Sequence, residues 1–149
     1  MPDSLWRAIR FKNQFLLAVM EKLAGDAMIS FEGDLSGVRL FDIPGASIDE
    51  TQVLKRNTLS PRQGFVVLPL EADTVQPILR AVGGTIPRSI IHIQIAKRDR
   101  LEFGAYDRFN PVTLVLGPAL DVEFLNFLQK QGFLEPNLRQ PVPVASNVS

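Results

Sequence analysis

Apolar residues recur every three or four positions between Leu5 and Ala24 (Leu5, Ile9, Phe11, Phe15, Leu16, Val19, Met20 and Leu23), while Arg7, Arg10, Gln14 and Glu21 fall on the other side. A stripe of that period predicts one amphipathic helix lying across a sheet. Asp3 or Ser4 would cap its start, and Gly25 would end it in the left-handed conformation. Trp6, in the exposed first turn, is expected to be half covered. It is the candidate interface anchor, since aromatic anchors are enriched at interfaces.

The period then shortens. MISFE (28–32) and VRLFDI (38–43) read as short strands around the turn-rich GDLSG. Ser47 and Glu50 have the spacing of a capping box, and Lys55 and Arg56 would suit the last turn of the short helix it predicts. After the loop NTLSPRQG, FVVLPL (65–70) reads as a strand covered on both faces, with Pro69 near its end because proline cannot donate to the ladder. In ADTVQPILRAVGG, Pro77 is tolerated only in a first helical turn, so Thr74 is expected as the cap and Gly83 and Gly84 as the stop.

ALDVEFLNFLQKQ (119–131) predicts the last helix, with Pro118 at its start. Leu120, Phe124, Phe127 and Leu128 form its buried stripe, and Gly132 and Phe133 its stop. Residues 135–149 are proline-rich and weakly apolar, which predicts a disordered tail behind a single domain of residues 1–134. The order α-β-β-α-β-α-β-β-β-α lacks regular helical crossovers. It predicts an α+β domain: a largely antiparallel sheet of five to six strands with helices packed mainly on one face.

The stretch IIHIQIAKRDRLEFGAY (90–106) allows its register to be argued. Ile91, Ile93 and Ile95 share one face, as do Leu101, Phe103 and Ala105, and both sets belong in a core. A two-residue turn would pair Ala96 with Leu101 and set the isoleucines beside Glu102 and Tyr106. A three-residue loop, Arg98 to Arg100, instead pairs Ile95 with Phe103 and Ile93 with Ala105. The second register satisfies the core, and it places His92 across from Tyr106 and Gln94 across from Gly104.

Composition narrows the chemistry. At 149 residues the chain suits one domain, and 46% hydrophobic with 21% charged residues is ordinary for a globular protein. Sixteen basic residues balance sixteen acidic ones, so no global field draws the chain to nucleic acid or an anionic membrane. The absence of cysteine removes disulfides, thiolate metal sites and cysteine nucleophiles. MPDSLWRAIR lacks the order of a secretory signal, and no apolar run approaches the ~20 residues needed to span a bilayer, so a cytoplasmic protein is expected.

No zinc spacing, phosphate loop or nucleophile elbow occurs, and no metal or other cofactor is expected. Oxygen ligands at Glu32, Asp34 and Asp42 would be the only basis for a magnesium or calcium site. The bases Lys97, Arg98, Arg100 and Arg108 are interrupted by Asp99, Glu102 and Asp107, a charged hairpin tip rather than a stripe for phosphates.

The chemistry that remains lies on one strand face. His92 is the sole histidine and Tyr106 the sole tyrosine, with Gln94 and Glu102 nearby and Gly104 opening a gap. These four side chains are the candidate ligand-binding residues, set against the plainer reading of a cross-strand pair that supports the sheet. The expected function is a small non-catalytic module binding a partner protein or small ligand, with self-association into a homodimer as one form. The alternative is a metal-independent hydrolase or isomerase using His92 as general acid or base with Tyr106.

Overall fold

The structure is a computed structural model that describes residues 6–136. In chain order its elements are β1 (Trp6–Ile9), α1 (Lys12–Leu23), β2 (Ala27–Gly33), β3 (Gly64–Leu70), α2 (Val75–Ala81), β4 (Ile90–Lys97), β5 (Arg100–Ala105), β6 (Val115–Leu116), α3 (Val122–Lys130) and β7 (Leu134–Pro136). Five strands form one antiparallel sheet in the order β3-β2-β4-β5-β6, and β1 pairs antiparallel with β7 in a second, two-stranded sheet. The chain is thus a single α+β domain.

Alternation along the strands divides the five-stranded sheet into two unlike faces. Ile29, Phe31, Leu68, Ile93, Ile95 and Phe103 point to the first face and are almost fully buried. Phe15, Leu16 and Val19 of α1, Ile78 of α2 and Leu128 of α3 join them in one cluster. Each such side chain contributes about 1.5–3 kcal/mol by leaving water. The second face carries only a small apolar cluster, Leu54 with Phe65, Val67 and Ala96. No helix covers it. A strap formed by residues 51–63 lies over it instead.

Several expected elements hold. Thr74 precedes α2, which puts Pro77 at its third position, and Gly83 and Gly84 follow with positive φ. β3 is buried on both sides over most of its length. The α3 stop is the one expected, with Gly132 at φ 79° and the Phe133 N–H donating to the Leu128 carbonyl at 2.9 Å.

Others differ, each for a physical reason. The first helix begins only at Lys12, because Trp6 to Ile9 are drawn into strand pairing with β7 and the chain turns at Phe11, φ 53°. Trp6 is consequently 8% exposed within its own core, not half covered, so it is withdrawn as an interface anchor. Its proposed caps, Asp3 and Ser4, lie outside the described residues. VRLFDI is no strand: Leu40 and Ile43 are buried three apart, which a 3-10 turn (Leu40–Asp42) satisfies and a strand does not. The Ser47 capping box forms no helix. The Ser47 backbone instead exchanges N–H and C=O bonds with Val67, while Glu50 accepts from the Arg56 N–H. α3 starts at Val122, capped by the Asp121 carboxylate, and its Phe127 is 44% exposed. Glu135 and Pro136, assigned to the tail, are part of β7; residues 137–149 lie outside the described part.

Candidate functional site

β4 supplies the chemistry-bearing row. Two bulges shape it. Glu32 pairs with His92 but Gly33 with Ile90, so Ile91 is the extra residue, and it is Ile90 that enters the core. A side chain at Gly33 would stand 2.1 Å from the Ser89 carbonyl, so this kink needs glycine. At the other end Ile95 pairs with Phe103 but Ala96 with Leu101, leaving Glu102 as the extra residue of β5. The hairpin therefore uses both registers weighed from the sequence. A two-residue turn, Arg98 and Asp99 with positive φ, closes the tip, and the bulge restores the register the core requires. As a consequence Leu101 packs with Ala96 on the second face, not with Phe103 and Ala105.

His92 and Tyr106 are neighbours, their rings 5.6 Å apart and tilted by 57°. The Tyr106 hydroxyl donates to the Gln94 amide oxygen at 3.1 Å. Gln94 in turn donates to the Lys55 carbonyl at 2.8 Å and the Ser30 hydroxyl at 3.3 Å. Burial holds the Tyr106 phenol above its ordinary pKa of 10.0, since the phenolate would lose water. Glu102 does not belong to this group. Its bulge turns it toward the start of the α3 segment, where it accepts from the Arg100 side chain at 2.7 Å and the Ala119 N–H at 2.9 Å.

Two residues complete the row: Glu32, which the sequence marked only as a cation ligand, and Thr58, which it did not mark. Glu32, 1% exposed, accepts the N–H groups of Asn57 and Thr58 at 2.7 and 3.0 Å. Thr58 lies 2.8 Å from His92 Nε2, and the Asp107 N–H donates to His92 Nδ1 at 3.2 Å. A backbone N–H can only donate, so Nδ1 is the acceptor of the neutral ring. The proton therefore sits on Nε2 and is donated to the Thr58 hydroxyl. Among the described residues no buried side-chain nitrogen or oxygen lacks a partner. The row is thus closed upon itself and upon the strap. NTLSPRQG (57–64), which supplies the outer part of the strap, has no periodicity that announces this docking.

The oxygen ligands weighed for a cation are parted. Glu32 serves the strap, and Asp42 pairs with Arg39 at 2.9 Å. Asp34 accepts from the hydroxyl and backbone N–H of Ser36, which lower its pKa from the usual 3.8. Among the described residues, no three histidine, cysteine or acidic side chains are grouped to hold a metal ion.

Beyond the strap's inner end the second face is open. A cleft of about 640 Å³ runs between Thr51 and Val53 on one side and Asp26 and Asp99 on the other, over a floor that includes Met28 and Ala96. That volume is within the range of small-molecule sites. A second cleft, about 750 Å³, lies between α1 and α2 beside Leu17, Leu79 and Arg80. Neither touches His92 or Tyr106. Among the described residues no helix is long and apolar enough to cross a membrane.

Comparison with known proteins finds no matching family model, curated protein or solved structure.

Proposed function

We propose that this chain is a non-catalytic module that binds a partner protein or a small ligand at the open end of the sheet's second face. What supports it is the state of the His92 ring. Both nitrogens are engaged, one by a backbone N–H and one by Thr58, and the side chain is 5% exposed. A general base must reach the proton it abstracts, and with the strap docked this ring reaches only its own chain. The cleft beside Met28 and Ala96 combines an apolar floor with a polar rim, as ligand sites do. The module is proposed to act in the cytoplasm, without metal and without nucleic acid. A homodimer would not use the β3 edge at Val67, where Ser47 already takes the outward N–H and C=O.

Fragment and peptide libraries screened by amide chemical shifts should move Met28, Val53 and Ala96 together. Met28→Lys should erase those shifts while leaving the melting temperature within a few degrees, because the side chain is 36% exposed. Turnover of activated esters or amides that disappears in His92→Gln would overturn the proposal.

A further inference from the structure

We propose that the outer half of the strap, residues 55–63, is a lid that opens as a unit while the five-stranded sheet stays folded. Opening would uncover the polar row of Glu32, His92 and Gln94. This inference stands apart from the cleft and does not rest on the binding reading.

The strap is fastened in two different ways. Its inner half is pegged by Leu54, fully buried against Phe65, Val67 and Ala96. Its outer half has no buried apolar side chain, and Leu59 is 75% exposed. It is held by the N–H groups of Asn57 and Thr58 on Glu32, by Thr58 on His92, and by the Lys55 carbonyl on Gln94. The Arg56 guanidinium also lies over the Phe65 ring at 4.9 Å. Apart from the Arg56 contact with Phe65, each of these is a hydrogen bond that water can replace when the strap lifts, and none belongs to the main core. Segments with few buried apolar contacts open well below the global unfolding free energy. The ends are fixed, one by Leu54 and the other by Gly64, where an added Cβ would stand 2.8 Å from the Gly33 carbonyl. Beyond the Phe65 ring under Arg56 the face beneath is polar, so water entering it meets the hydrogen-bonding groups of Glu32, His92 and Gln94.

Native-state hydrogen exchange tests this, together with modification of the sole histidine by diethyl pyrocarbonate. The Asn57 and Thr58 amides should exchange faster than those of Ile93 and Ile95, at a rate that low urea does not change. Leu128→Ala, which weakens the core on the other face, should speed Ile93 and Ile95 while leaving the strap amides and His92 modification as they were. Thr58→Val should speed both strap exchange and His92 modification by roughly tenfold, the scale of one lost hydrogen bond. If Leu128→Ala leaves no folded protein, the urea series on the unmodified chain decides. Strap amides and His92 that respond to urea or to Leu128→Ala in step with Ile93 and Ile95 would show that the strap opens only by global unfolding, and the lid would be rejected.

Discussion

His92 sits where three segments meet: β4 carries it, the strap receives its proton through Thr58, and the turn after β5 donates to it through Asp107. Removing the ring would strand both partners. His92→Ala should therefore cost about 2–3 kcal/mol in chemical denaturation, from two hydrogen bonds left one-sided. A cross-strand pair alone would cost roughly 1 kcal/mol or less. Tyr106 offers a second check. Because the buried phenol titrates above 10.0, its folded form holds the proton more tightly than its unfolded form. Its phenolate absorbance should appear only above that pH. The Tyr106 contribution to stability should be constant below pH 10.0 and be lost as pH rises through the raised value. The proximity of His92 and Tyr106 was legible in the sequence, because alternation and the burial of Ile93 and Ile95 fix the register at that end of the hairpin. Thr58 and Asp107 were not. Each contributes from a loop, and no period points a loop residue at its target.

At the scale of elements, conflicts in the sequence marked real features. The hairpin needed a two-residue turn by habit and a longer register by burial, and the structure meets both by inserting Glu102 as a bulge. The tip is costly as built. Arg98 and Asp99 both have positive φ, 52° and 64°, a conformation that asparagine and glycine adopt with less strain. The double variant Arg98→Asn, Asp99→Gly should raise stability by about 1 kcal/mol in urea titrations; a loss would mean that the Arg98 pair with Asp26, 3.8 Å apart, outweighs the strain. The first helix misled for the opposite reason. Ile9 and Phe15 fit a helical stripe, yet the pairing of Trp6 to Ile9 with β7 is decided by residues far along the chain. Local period cannot carry that information. VRLFDI misled because its alternation is broken by two adjacent exposed residues, Phe41 and Asp42, and it has no strand to pair with.

For the whole molecule, the two faces of the sheet have separate tasks. Helices and the main core take one, and a polar row with a strap takes the other. The fold class was legible because it depends on the sum of many elements, and losing one strand and one helix does not change it. The outer edge of β3 is closed at Val67 and Pro69. The outward N–H and C=O of Val67 are taken by Ser47, Pro69 has no N–H, and its carbonyl accepts the Thr74 hydroxyl at 2.8 Å. Restoring a donor with Pro69→Thr and removing the Ser47 cover with Ser47→Pro should promote association through this strand, visible as a larger species in sedimentation. A double variant with unchanged sedimentation would show that the edge is guarded by something else.

The pairing of β1 with β7 also bears on how the protein is made. Trp6 and Pro136 are register partners about 130 residues apart, so during synthesis β1 must wait for β7. At about 5–20 residues per second, that wait is on the order of ten seconds. Throughout it, the sole tryptophan of the chain lacks the strand that will pair with it. In the cell, a nascent chain stalled before Leu134 would leave β1 and its indole without that partner strand, and emergence of Leu134 to Pro136 would supply it.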